Sequence, residues 1–352
     1  MKPTFTRSSS RIAAALVAVC LMAVGGCASS SDDISGSPSA TADDKPAAAP
    51  QQLDLVGFAV VKAAYDDLGE QFAQTDAGAG VTITGSFGAS GAQSRAVIAG
   101  QHADIVALSI TPDVAKIADE GLVAADWDGD AAKGIVSSSV VVIAVRPGNP
   151  RHIAGWDDIV KPGVGIVTAD PGTSGAAKWN LLAAYTQALG ADDDKAAAEA
   201  YLGKFVKNVV SWNDSGRTAT DAFVNGTGDV LISYENEAIA ARAAGIELDY
   251  LVPDTTFLIE NPAAVTTDAP PAAAAFLDFV RGEQGQAILG AHGFRPVGGF
   301  PAATGVEGAN DPAKPFPAID KLWTVADLGG WSTVNDELFD KENGLVTKLR
   351  AQ

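Results

Sequence analysis

From Leu53 onward, short apolar runs alternate with amphipathic stretches, and this alternation limits the possible folds more than any other feature of the chain. Strands that are each followed by a helix pair mainly in parallel, with the helices covering the sheet. "LDLVGFAV" (Leu53–Val60) reads as a first strand, and "KAAYDDLGEQFAQ" as a helix with Tyr65, Leu68 and Phe72 on one face. "VTITGSFG" (Val81–Gly88) reads as a second strand, "SGAQSRAVIAG" as a short helix and "ADIVALSI" as a third strand. "SSVVVIAVRPG" (Ser138–Gly148) is unusually long and apolar, which suits a strand shared between two lobes and buried on both faces. "GVGIVTA" then leads into the helix "AAKWNLLAAYTQALG", where Trp179, Leu182, Thr186 and Leu189 share a face and Gly190 is placed to cap the end. "GDVLISYENEA" (Gly228–Ala238) is another buried strand, and "PPAAAAFLDFVRGEQGQAILGAHG" holds two short helices. With 352 residues to distribute, the pattern predicts a two-lobed α/β protein of mixed, mainly parallel sheets.

The first 26 residues stand apart as a targeting segment. Lys2, Arg7 and Arg11 precede the apolar run "IAAALVAVCLMAV", which has secretory length and is short for a membrane span. The run ends in "VGGC", which resembles a bacterial lipobox, so Cys27 is expected to carry lipid at the mature N-terminus. The only other cysteine, Cys20, lies inside the leader, so the mature chain has no internal disulfide to form. Residues 27–52, rich in Ser, Ala, Asp and Pro, read as the lipidated N-terminus and a tether that would hold a domain very roughly 25–30 Å from its anchor. The expected location is extracytoplasmic, lipid-anchored to the outer face of the plasma membrane.

The net charge is −19, and losing the leader's three cations takes it to about −22. Such a surface repels nucleic acid and anionic lipid, so no nucleic-acid partner is expected. Against this background three turns are notable: "SFGASGAQ" (Ser86–Gln93), "ADPGTSGAAKWN" (Ala169–Asn180) and "WNDSGRTATDAF" (Trp212–Phe223). Each runs from a strand through small residues into a helix start. The first turn of a helix carries unpartnered amides at the positive end of its dipole, and small residues let an anion approach them. Neutral donors can therefore bind an anion inside an acidic protein. Ser, Thr and Asp are also ordinary N-caps, so the same turns have a purely local reading.

At these residues the chain resembles the prokaryotic sulfate-binding protein family, the type II solute-binding components of sulfate and thiosulfate ABC importers. The resemblance runs through "GASGAQSRAVIAGQHADIVALSI", "RPGNPRHIAGWDDIVKPGVGIVTADPGTSGAAKWNLLAAY", "DSGRTATDAFVNGTGDVLISYENEA", "FLDFVRGEQGQAILGAHGFRP" and "LGGWSTVNDELF", in family order from about Leu53 to Phe339. It implies a periplasmic-binding-protein-like fold of type II, with a hinge and a ligand cleft between lobes. Lobe 1 is expected over 53–142, lobe 2 over 143–259, and a return to lobe 1 with C-terminal helices over 260–352. It also implies one dehydrated tetrahedral oxyanion as ligand: sulfate, or thiosulfate, molybdate or tungstate on the same architecture. Carried over by position, Ser90 would donate through its amide and hydroxyl, Ser174 through its hydroxyl, and Gly175 and Ala176 through their amides. Gly216 or Arg217 would supply an amide from the third turn. Tyr234 falls where sulfate binders place a tryptophan, as in the molybdate binders that use a tyrosine hydroxyl. Family members carry a Tyr-Asp-Pro segment where this chain has "GFAVVKAAY", so an acidic supporting residue is missing at Ala59. The implied partners are transmembrane permease subunits of an ABC importer, and a monomer is expected.

Other chemistries find less support. Ser174 and Lys178 are four residues apart, unlike an S-x-x-K nucleophile, and no G-x-S-x-G elbow or P-loop occurs. No enzyme activity and no cofactor are expected. His102, His152 and His292 are distant in sequence, and the acidic stretches "DWDGD" and "DELFDKENG" lack EF-hand spacing, so no metal site is expected.

Overall fold

The computed structural model describes residues 50–190 and 193–352. The leader, Cys27 and nearly all of the tether lie outside the described residues. No helix among the described residues is long and apolar enough to cross a membrane.

Among the described residues ten strands form the framework: β1 (Gln51–Phe58), β2 (Val81–Gly88), β3 (Ile105–Ala107), β4 (Ile135–Val145), β5 (Ile166–Ala169), β6 (Val209–Asn213), β7 (Val230–Tyr234), β8 (Asp249–Leu251), β9 (Thr255–Val265) and β10 (Lys321–Trp323). Their order is β2-β1-β3-β9-β4-β7-β5-β6, with β8 on β4 and β10 on β9. β2, β1 and β3 are parallel, and so are β7, β5 and β6. The two parallel halves are joined by antiparallel β4 and β9, each 11 residues long. β4 pairs β9 up to Val140, and β7 and β8 from Val141 on, so one strand serves both halves. Every residue of β4 is buried, which accounts for the apolar run Val140–Val145 in its second half.

The helix Lys62–Phe72 buries Tyr65, Leu68 and Phe72, as its periodicity predicts, and Phe72 meets the Phe276 ring edge-on at 5.3 Å. The helix Gly175–Leu189 is apolar nearly all round because it packs inside the molecule, and it ends at Gly190 with φ 63°. The helices Pro271–Arg281 and Glu283–Ala291 lie where two short helices are expected.

Three differences from the sequence reading have local causes. β1 stops at Phe58, and Ala59–Val61 turn into a 3-10 segment leading to the first helix. β3 covers only Ile105–Ala107, leaving Leu108–Ile110 free to form a wall beyond the sheet. β9 contains Pro262, whose missing N–H argues against a central strand. The proline is accommodated beside the register irregularity at Ile135–Ser137, and its carbonyl accepts from Leu108 N at 3.0 Å.

Candidate functional site

In an open α/β sheet, ligands bind beyond the carboxyl ends of the parallel strands. Those ends meet here around one small cavity. Its walls are Phe58–Val60 after β1, Gly88–Ser90 after β2, Ser109 after β3, Ser174 and Ala176 after β5, and Ser215 and Gly216 after β6. The three turns singled out in the sequence thus converge, and a fourth, Phe58–Val60, joins them without carrying any glycine or serine signal. No charged side chain lines the cavity. Its free room for the centre of a water-sized sphere is about 10 Å³. So little free room suits a small ion better than an organic solute.

The helix starts differ in how their amides are satisfied. Ala89 precedes the helix Ser90–Ile98 and makes no side-chain cap. Ser174 precedes the helix Gly175–Leu189 and makes none either, and its hydroxyl has no hydrogen bond among the described residues. The first-turn amides of Gly175 and Ala176 therefore stay available to a ligand. Ser215, before the helix Gly216–Val224, instead forms a capping box: its Oγ accepts from Thr218 N at 3.1 Å, and its N–H donates to Thr218 Oγ1 at 2.9 Å. At that turn the local reading holds for the Ser215 hydroxyl, although Ser215 and Gly216 both line the cavity.

Two contacts, one between main chains and one from a side chain to main chain, hold the turns together. Gly91 N donates to Thr173 O at 3.0 Å, and Thr173 Oγ1 donates to Asp214 O at 2.9 Å. Gly175 sits so close to the facing wall that a Cβ there would lie 2.7 Å from Ser109 Oγ and 2.8 Å from Ser109 Cβ. Only glycine permits this approach.

The remaining expected residues stand behind the wall. Tyr234 is buried, and its Oη meets Ser109 Oγ at 2.6 Å, so it reaches the cavity through Ser109 and does not line it. Burial pushes its phenol far above the ordinary range, against the hydrogen bonds with Ser109 and Asn261, so the hydroxyl stays protonated. Arg217 is directed to Glu237, with Nη2 donating to Oε2 at 3.0 Å, and its side chain is not part of the lining. Burial raises the Glu237 carboxyl, and the Arg217 charge opposes that rise. Ser90 Oγ accepts from Ser109 N at 3.0 Å and donates to Asp113 Oδ2 at 2.8 Å. Its hydroxyl proton is thus directed at a carboxylate, and to reach an anion it must turn away from Asp113.

Ser109 and Asp113 had no signature in the sequence. Ser109 also accepts through its carbonyl from Trp179 Nε1 and Asn261 Nδ2, both at 3.0 Å, so one residue ties the cavity wall to four parts of the chain. Asp113 places a carboxylate behind the Ser90 hydroxyl, on a different element from Ala59. Lys178 points out of the cavity: its Nζ donates to Asn335 Oδ1 at 2.6 Å, and burial lowers its pKa to about 8. Elsewhere, His102 comes within 3.8 Å of Asp54 and 3.6 Å of Asp104, a group able to hold a metal ion that separation in sequence concealed.

The sequence matches the family of bacterial extracellular solute-binding proteins over residues 53–295. A sulfate-binding protein of Synechococcus elongatus is 36% identical over 96% of this chain and 95% of its own. The chain belongs to this family. The solved structure of the sulfate-binding protein SubI from Mycobacterium tuberculosis is 43% identical, covers 82% of this chain and 100% of its own, and superposes with a TM-score of 0.77. A periplasmic thiamin binding protein, 17% identical with a TM-score of 0.58, shares the fold. The fold is that of the type II periplasmic binding proteins, and these relatives are named as binding proteins.

Proposed function

We propose that the chain captures sulfate between its two lobes and hands it to the transmembrane subunits of an ABC importer. The observation that carries this is the small, uncharged cavity at which helix starts from both sheet halves meet, two of them with no side-chain cap. Relatives named as sulfate-binding proteins support the same reading. The donors are the Ser174 hydroxyl and the amides of Ser90, Gly175, Ala176 and Gly216 or Arg217, with Tyr234 orienting the Ser109 hydroxyl. A hydrogen bond to a charged group contributes about 1.5–3 kcal/mol, and micromolar affinity corresponds to about 8 kcal/mol after ordering and desolvation. One helix start is too little for that, and six donors from facing lobes, the Ser109 hydroxyl included, suffice.

Sulfate near neutral pH only accepts hydrogen bonds, whereas phosphate retains a proton that needs an acceptor. With no carboxylate in the lining, that proton would find at best a serine hydroxyl already needed as a donor. The protein binds without turnover, and it works as a monomer leashed through lipid on Cys27, with the lobes divided near 142/143 and 259/260. Calorimetric titration of the unlipidated protein with sulfate, thiosulfate, molybdate and phosphate tests the reading. Sulfate should bind at micromolar concentration or below and phosphate far more weakly; phosphate binding as tightly at neutral pH would overturn it.

A further inference from the structure

Beside the small cavity lies a far larger basin of about 700 Å³. Arg95, Lys116, Lys178, Lys341 and Arg350 line it, with Asp113 as the only acidic residue in its walls. Five of the chain's 24 Lys and Arg residues thus surround one depression, in a protein with 43 Asp and Glu. Several of these cations have charge to spare. Arg95 and Lys341 are exposed and make no side-chain hydrogen bond or ion pair among the described residues. Lys178 donates only to the neutral Asn335, while Lys116 pairs with Asp113 at 3.0 Å and Arg350 with Asp170 at 2.6 Å.

The basin adjoins the cavity directly, because Ser174 lines both. The 173–176 turn is the partition, and Gly91 and Thr173 close its floor by their backbone bond. The two spaces differ in chemistry. The cavity offers fixed neutral donors in a space for one small ion, and the basin offers long, hydrated cationic side chains around an open volume. Donors of the first kind read shape and protonation; those of the second read charge alone.

We propose that the basin is an outer anion-binding site, which draws dianionic oxyanions from solution and holds them loosely before they enter the cavity. The proposal rests on the reading that the cavity binds such an anion. It answers a physical difficulty, since a chain of net charge −19 repels a dianion at long range. At physiological ionic strength the screening length is about 8 Å, so distant carboxylates fade while the basin's cations act at contact. A cleft of one sign can raise association rates by about 10–10³-fold. Because it reads charge alone, the basin should also attract phosphate dianions that the cavity rejects.

The sign of the salt dependence decides the matter. If the whole-chain charge governs encounter, added sodium chloride speeds sulfate association; if the basin governs it, salt slows association. Stopped-flow tryptophan fluorescence with sulfate as the probe reads this rate, since Trp179 contacts the Ser109 wall. For the wild type the association rate should fall with salt. Arg95→Gln combined with Lys341→Gln should lower it about tenfold, leave the dissociation rate unchanged and abolish or reverse the salt slope. Both side chains are exposed, and circular dichroism checks that the variant folds. A wild-type rate that rises with salt, or a double variant with the wild-type rate, would overturn the outer site while equilibrium sulfate binding persists. Absence of sulfate binding at equilibrium would instead remove the reading of the cavity, and the outer site with it.

Discussion

The helices Gly175–Leu189 and Gly216–Val224 begin alike: each follows a parallel strand and each opens on Ser-Gly. Their first turns nevertheless do different work. Ser215 closes on Thr218 in a capping box, whereas Ser174 leaves its helix open toward the cavity. The difference lies three residues on, where Thr218 can return a hydrogen bond and Ala177 cannot. A serine before a helix is a cap or a ligand donor according to whether its own helix claims it.

Substitutions can break that comparison, beginning with the most severe. Gly175→Ala would drive a methyl into Ser109 and push the open helix start away from the facing wall. Overpacking of this kind costs up to about 3 kcal/mol, so sulfate affinity measured by calorimetry should fall roughly a hundredfold. Ser174→Ala should weaken sulfate binding by about 2 kcal/mol, the value of a hydrogen bond to a charged group, with the melting temperature unchanged. Ser215→Ala should do the reverse, losing about 1 kcal/mol of stability as a cap is removed and much less affinity. Equal affinity losses in the two serine variants would erase the distinction between the turns.

The smallest expected effect concerns Lys178, one turn into the open helix. Burial holds its pKa at about 8, with Asp113 raising it and Lys116 lowering it further. A dianion bound nearby favours the charged form, so binding takes up a proton once the free protein has begun to lose it. Sulfate affinity should therefore be flat below about 8 and decline as pH rises through that value. The drop should amount to less than about 1 kcal/mol and be absent in Lys178→Met, as titrations across the alkaline range would reveal.

How far these features could be read from the chain depended on whether they are local. Helical periodicity found the Tyr65, Leu68 and Phe72 face, and the small-residue turns marked three walls of the cavity before their convergence was known. β9 was hidden because Pro262 contradicts a central strand, and only its bulged partner makes room for it. Ser109 looked like the tail of a strand, and its importance comes from Ser90, Trp179, Tyr234 and Asn261, which are far from it in sequence. Asp113 lies 23 residues from the hydroxyl it supports, and no pattern at helix or strand period links them.

The contact from Gly91 N–H to Thr173 O joins the two sheet halves beside the cavity using main chain alone. Short of proline at position 91, no exchange of side chains deletes the donor or the acceptor. Side chains around the cavity can therefore be exchanged while the two halves keep this way of meeting. One scaffold can then carry cavities of different chemistry, because what lines the cavity and what joins its halves are written in different parts of the polymer.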